Sequence, residues 1–409
     1  MLWTVHLDGG PQRVNHGAVG VGDFIYSFGG YCTGYDYRFN EPMDVHVLNV
    51  HTLRWSVVPQ QVDKDGVQLK YPEVPFQRYG HTVVAYKERI YIWGGRNDEN
   101  LCNVLYCFDP KLASWSRPNV SGCLPGARDG HSACVIGNSM FIFGGFVDEI
   151  NEFSSDVHSL NLDTMEWRYV QTFGVPPSYR DFHAAVAYEQ ERMYIFGGRG
   201  DKHSPYHSQE ETYCHEIVYL DMRTKVWHRP FTAGKVPVGR RSHSMFVYNK
   251  LIFVFGGYNG LLDQHFNDLY TFDPMTKLWN LIRANGQAPT ARRRQCALVT
   301  GSKMFLFGGT SPKPCPQTAS QTPDGGQSGT TAAQAQAAAA TAAAASSTVT
   351  LIDYSDLHVL DFEPTLKTLA TMVVLKHQLD ITGLPRSFRA DLQMLTQPNS
   401  ISRPINQAG

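Results

Sequence analysis

The chain has 409 residues, long enough for one large domain and an appendage. Its 36 Lys+Arg against 37 Asp+Glu give a net charge of −1, which excludes an overall pull toward nucleic acid or an anionic membrane. Charged residues are only 18% while Gly (36), Tyr (20) and Phe (22) are plentiful, a composition suited to short strands joined by tight turns.

In chain order, the opening MLWTVHLDGG lacks the basic start and long apolar core of a signal peptide. No later apolar run reaches the ~20 residues that span a bilayer. The first predicted element is a lone strand, WTVHL. From residue 13 onward the chain repeats itself six times. An apolar strand ends in a double glycine in IYSFGG, IYIWGG, MFIFGG, MYIFGG, IFVFGG and MFLFGG, closing at Gly30, Gly95, Gly145, Gly198, Gly257 and Gly309. A lead-in motif (RVNH, RYGH, RDGH, RDFH, RRSH or RRRQ) ends fourteen or fifteen residues before each second glycine. Each unit therefore reads as four antiparallel strands, one blade of a propeller. The glycines permit a sharp turn beside the central channel. The recurring His16, His81, His131, His183 and His243 are spread round a ring, so packing and hydrogen bonding suit them better than metal ligation.

The tryptophans show how the ring closes. Trp3, Trp55, Trp115, Trp167, Trp227 and Trp279 are separated by 52, 60, 52, 60 and 52 residues. The sixth repeat has no tryptophan after its third strand, DLHVLDF, whereas Trp3 precedes the first. The N-terminal strand is thus predicted to be the outer strand of blade six, which removes exposed sheet edges. These features resemble the kelch family over residues 1 to about 362. The expectation is an all-β, six-bladed kelch β-propeller over residues 1–363, non-catalytic, with no metal or cofactor. Its eight cysteines make no CxxC pair, and Cys134 and Cys296 lie in apolar runs. Reduced thiols and an intracellular location, cytoplasmic or nuclear, are expected. Residues 311–350, rich in Pro, Gly, Ser, Thr, Gln and then Ala, read as a disordered insertion in blade six.

Propellers bind partners at a channel mouth, where the residues after each double glycine and before each first strand converge. The first set contributes Tyr31, Arg96, Phe146, Arg199, Tyr258 and Thr310. The second contributes Arg13, Arg78, Arg128, Arg180, Arg240, Arg241, Arg292, Arg293 and Arg294, with Tyr79, Asp129, Asp181, Phe182 and Ser242 nearby. An arginine in every blade suits a framework role, expected for Arg13, Arg78 and Arg128. The doubled and tripled arginines differ: Arg240, Arg241, Arg292, Arg293 and Arg294, with Ser242, are expected to hold an anion. Tyr31, Tyr79, Arg96, Asp129, Arg180, Asp181, Arg199 and Tyr258 are expected to form a rim that contacts an extended peptide.

After DLHVLDF the pattern turns helical. Residues 365–379 place Leu366, Leu369, Met372, Val373 and Leu379 at helical spacing, and Pro385 opens a second helix. TLKTLATMVV resembles an elongin-B/C box in Thr365, Leu366 and Val374. Ala370 stands where that box usually has Cys, which keeps a small side chain and loses the thiol. LPRSFRADL resembles a cullin-2 box in Leu384, Pro385, Phe388 and Leu392. Together with the kelch ring, residues 364–396 give the chain the look of a kelch-repeat substrate receptor of cullin-2 RING ubiquitin ligases. That resemblance implies elongin-B/elongin-C, cullin-2 and its RING partner as companions, and substrates with C-terminal degrons ending in glycine. A basic residue before that glycine is expected to pair with Asp129 or Asp181. The chain itself ends in NQAG, so the tail from Gln397 to Gly409 is read as flexible and as a ligand for a mouth of its own kind. The competing reading is a kelch scaffold for a peptide, actin or chromatin partner, without ligase recruitment.

Overall fold

Each repeat folds into a four-stranded antiparallel sheet, extended in blades three and five by a two-residue parallel strand, and the six sheets stand round one channel as propeller blades. The computed structural model describes residues 1–208, 210–313 and 350–402. Most of the insertion, with its polyalanine tract and Cys315, and the last part of the tail, including Gly409, lie outside the described residues. In blade one the order from channel to rim is Gly17–Val21, Phe24–Phe28, Val45–Asn49 and Arg54–Val57. The innermost strands of neighbouring blades pack side by side all the way round, blade six against blade one included. The strand leading into each double glycine is sandwiched between blades, so it reads as a continuous apolar run rather than an alternating one.

Blade six closes as expected. Its strands are Cys296–Thr300, Lys303–Phe307 and Leu357–Asp361, and the N-terminal Leu2–Leu7 pairs antiparallel with the last of these. Each tryptophan then packs against the aromatic residue before the double glycine of the preceding blade. Trp3 meets Phe255, Trp55 meets Phe307, Trp115 meets Phe28, Trp167 meets Trp93, Trp227 meets Phe143 and Trp279 meets Phe196, with ring centres 5.0–6.0 Å apart. The aromatic cycle has no end. Strands Thr310–Pro312 and Leu351–Asp353 pair at the base of the insertion, so the propeller continues on either side of it.

Two helices follow, α1 (Leu366–His377) and α2 (Arg386–Thr396). The Thr365 hydroxyl caps α1 by accepting from the Thr368 N–H at 3.1 Å. Thr371 and Leu392 turn inward, while Met394 and Leu395 pack on the core between blades six and one. The expectation of a flexible tail from Gln397 is corrected for its first residues. The Asn399 N–H donates to the Asp8 carbonyl (2.7 Å), the Ser402 N–H to the Trp55 carbonyl (3.2 Å), and the Val57 N–H to the Ser402 carbonyl (3.0 Å). This short segment runs parallel to the outer strand of blade one. In blades three, five and six the linker glycines Gly122, Gly234 and Gly286 lie on the carbonyl of that blade's tryptophan. At Gly9 the nearest atom is instead the Asn399 carbonyl oxygen. The C-terminal segment is wedged in between.

The seams between blades depend on the glycines. The N–H of each second glycine (Gly30, Gly95, Gly145, Gly198, Gly257, Gly309) donates to the carbonyl of the next blade's lead-in arginine at 2.8–3.0 Å. A Cβ on Gly197 would lie 2.5 Å from both the Arg240 carbonyl oxygen and the His243 ring, and its φ of +71° is already left-handed. His16, His81, His131, His183 and His243 are buried at these seams, and Gln295 takes the sixth place. Burial first, and the neighbouring lead-in arginine second, push all five imidazoles down, His81 and His243 to about 3. The unfolded chain therefore takes up protons below about pH 6.5 that the folded chain refuses, and stability falls on acidification. Each histidine contributes a slope of about 1.4 kcal/mol per pH unit there. Urea melts between about pH 7 and pH 5 should show this fall, and His243→Gln, copying Gln295, should remove about one proton from the slope. An unaltered slope would contradict the seam assignment.

Candidate functional site

The four positions of the lead-in motif do four different things. The first position is a buried arginine. Arg78, Arg128, Arg180, Arg240 and Arg292 each donate from Nη1 to the carbonyl of the first glycine in their own blade at 2.8–3.3 Å. Arg128, Arg240 and Arg292 also clamp Asp156, Asp268 and Asp356 with two hydrogen bonds each. Arg13 holds Asp44 at 2.7 Å. The framework reading of Arg13, Arg78 and Arg128 thus extends to every blade. Arg180, Arg240 and Arg292, expected at the mouth, are corrected: they are 0–3% exposed, and their guanidinium groups are spent inside the blade.

The second position forms the wall of the mouth. Val14, Tyr79, Asp129, Asp181, Arg241 and Arg293 pair through their backbones with Tyr31, Arg96, Phe146, Arg199, Tyr258 and Thr310. Both sets of mouth residues are therefore brought together. The third position forms the floor. The N–H of Gly80 donates to the Asn15 carbonyl, Gly130 to Gly80, Phe182 to Gly130, Ser242 to Phe182, Arg294 to Ser242 and Asn15 to Arg294, at 2.7–3.1 Å. All six have φ between +48° and +68°. The fourth position is the seam histidine.

Charge is distributed unevenly over this frame. Arg199 is held by Asp181 and by Glu211 at 3.3 Å; Glu211 also accepts from Arg241 at 3.1 Å. Arg96 reaches Asp148 at 3.3 Å. Arg293 and Arg294 have no carboxylate among the described residues, and both Nε atoms are buried without a partner. Arg294 donates to the Tyr31 hydroxyl, and Arg293 lies 4.4 Å over the Tyr258 ring. Burial, then Arg294 and Arg241, pull the Arg293 guanidinium below its ordinary value. The Ser242 hydroxyl and His265 Nε2 are also buried and unpartnered. Across the mouth, burial and then Asp181 raise Asp129 to about 7, against the pull of Arg96, Arg199 and Arg294. A cavity of about 510 Å³ opens between Arg294 and Asp129, lined also by Tyr31, Tyr37, Tyr79 and Asp98.

Tyr37, Asp98, Glu211 and His265 were not legible as site residues. They sit on loops whose lengths differ between blades, outside the repeat phase. His6, Asp356 and His358 bring three ligand-type side chains together at the edge of blade six, but both Asp356 oxygens already accept from Arg292. On the helices, Leu366 is 82% exposed, and Leu369, Ala370 and Val373 are exposed beside it, while Val374 is half-buried. In the second box Leu384 and Phe388 are half-buried and Pro385 is exposed. Leu392 is 3% exposed; it anchors α2 and is not available to a partner.

Kelch domain-containing protein 3 of Bos taurus and of Homo sapiens is 45% identical to the chain over 406 residues, 99% of this chain and 98% of theirs. The Mus musculus protein is 46% identical over 410 residues with the same coverage. Host cell factor 1 of Rattus norvegicus is 30% identical over 254 residues, 58% of this chain and 12% of its own length. The KLHDC2/KLHL20/DRC7 Kelch-repeats domain matches residues 80–309. With six blades closed on themselves and near full-length similarity that runs through the C-terminal helices, the chain belongs to the Kelch domain-containing protein 3 family.

Proposed function

We propose that the chain is the substrate-recognition subunit of a cullin-2 RING E3 ubiquitin ligase, binding C-terminal degrons that end in glycine and promoting their ubiquitination and degradation. The observation that carries this reading is the guanidinium of Arg294, without a carboxylate on the floor of a closed mouth, next in the ring to the unpartnered hydroxyl of Ser242. A part-buried cation without an anion is costly, and an anionic ligand removes that cost. A peptide carboxylate is a planar fork that a guanidinium meets with two hydrogen bonds. The last residue has to be small, because the cavity at the floor ring, lined by Phe182, Ser242 and Arg294, holds only about 130 Å³. Asp129 then lies across the mouth to receive a basic side chain before the glycine.

The outer surface supports the recruitment half. Leu366, Leu369, Ala370 and Val373 fall at i, i+3, i+4 and i+7 and face away from the propeller. An unpartnered apolar stripe of this kind suits docking into a groove of another protein, here elongin-C of the elongin-B/C pair. Leu384, Pro385 and Phe388 then mark the side on which cullin-2 and its RING partner assemble.

Three experiments test the proposal. A peptide ending in Lys-Gly should bind the purified chain, and amidating its carboxylate or introducing Arg294→Ala should each weaken binding about 30-fold or more. Equal binding of acid and amide would end the degron reading. Asp129→Lys should weaken the Lys-Gly peptide and spare an Ala-Gly peptide. Because Asp129 titrates near 7, the preference for Lys-Gly should also grow as pH rises through neutrality; a flat preference would remove Asp129 from the site. Finally, the full chain should capture elongin-B/C and cullin-2, and Leu366→Ser should abolish capture without altering the melting temperature. This variant is preferable to truncation after residue 363, which would also strip Asn399–Ser402 from blade one. Capture unaffected by Leu366→Ser would leave a peptide-binding kelch scaffold.

A further inference from the structure

We infer that the mouth contains two anion subsites rather than one: the floor, at Arg294 and Ser242, and a second on the wall of blades five and six, where Arg293 and His265 flank Tyr258 and take an acidic side chain of the bound peptide. This rests on the mouth being a C-terminal peptide site, as proposed above.

Charge counting gives the first reason. On the wall and floor from blade four to blade six stand four guanidinium groups, Arg199, Arg241, Arg293 and Arg294, and the two carboxylates that pair with them, Asp181 and Glu211. Four minus two leaves two positive charges. Of the remaining acids nearby, Asp263 sits at the rim and accepts from the Tyr258 hydroxyl at 2.9 Å, and Asp129, which burial raises to about 7, acts on Arg199 and Arg294 rather than on Arg293. A single terminal carboxylate satisfies one of the two surplus cations and leaves the other part-buried without an anion.

Geometry gives the second. Arg293 and Arg294 are adjacent in sequence, yet their backbones do different jobs. Arg293 exchanges two hydrogen bonds with Thr310 at 3.0 and 2.9 Å, whereas Arg294 is a left-handed member of the floor ring with φ +62°. Their guanidinium groups consequently face different rings, although Arg294 is near enough to push that of Arg293 below its ordinary value. The Arg294 guanidinium lies 5.8 Å from the Tyr31 ring and 5.6 Å from that of Phe182, while the Arg293 guanidinium lies over Tyr258. A carboxylate held by Arg294 and Ser242 therefore leaves the guanidinium over Tyr258 to a second anion.

The third reason is that the second place is already furnished. The His265 ring centre is 4.5 Å from that of Tyr258, with Nε2 buried and unpartnered, and the Arg293 Nε is likewise unpartnered. Burial, then Arg293, with further pushes from Arg241 and Arg294 and an opposing pull from Asp263, lower His265 to about 4. It is therefore a neutral imidazole that can give a hydrogen bond without adding to the positive charge. Arg293, His265 and the Tyr258 face together offer an apolar floor and two donors to a side-chain carboxylate.

The test is a positional scan of peptides ending in Lys-Gly, each upstream position carrying Glu or Gln in turn, measured on the full chain. At one position Glu should bind about tenfold more tightly than Gln. Arg293→Gln should close that gap, as should His265→Ala in part. Arg294→Gln should instead weaken both peptides of the pair and leave the gap open. Melting curves confirm that each variant is folded. The inference is overturned if no position prefers Glu, or if the preference survives Arg293→Gln. Amidated peptides separate the two readings: cost-free amidation removes the C-terminal site itself, whereas costly amidation without a Glu preference removes only the second subsite.

Discussion

Six backbone hydrogen bonds, passed head to tail round the channel from Asn15 to Arg294 and back, hold everything else in place. Each requires its residue to adopt a left-handed backbone. For Gly80 and Gly130 this is easily tolerated; for Phe182, Ser242 and Arg294 it is strained, and the strain is sustained because the ring cannot open at one point without losing a bond at two blades. The left-handed turn is also what separates the jobs of neighbouring residues. It sends the first side chain of each lead-in motif under the blade, the second to the wall, the third to the floor and the fourth into the seam.

That division explains what could be read from the sequence and what could not. The ring closure was legible in the displacement of Trp3 by one whole repeat. The helices were legible in the loss of glycine and the change of apolar period after Phe362. The arginines were harder. A repeat reveals which residues recur but not which way they point, so Arg240 and Arg292 looked like members of a mouth cluster when they are the same buried clamp as Arg78. The informative positions were those that differ between blades within an otherwise fixed frame: Asp129 and Asp181 on one side, Arg241, Arg293 and Arg294 on the other. His265 and Glu211 escaped notice because their loops follow no repeat.

The mouth is therefore polar in a directed sense. Among the described residues its cationic side is short of anions, and its anionic side carries Asp129, a carboxyl that burial raises to about 7. An extended peptide with a negative end and a positive side chain close by is complementary to both, and each contact relieves a desolvation cost already present in the empty protein. Electrostatic complementarity of this kind favours selectivity over raw strength.

Both ends of the chain are fastened at one place. The N-terminal strand waits for Leu357–Asp361 before it has a partner in its sheet, and the outer strand of blade one is covered only when Asn399–Ser402 arrives. During synthesis, blades two to five can assemble in order, but the ring remains open until Leu357–Asp361 and then Asn399–Ser402 have left the ribosome. Since α1 and α2 dock on that same seam, the exposed apolar stripe of α1 and the completed mouth come into existence together. An incompletely made chain presents neither.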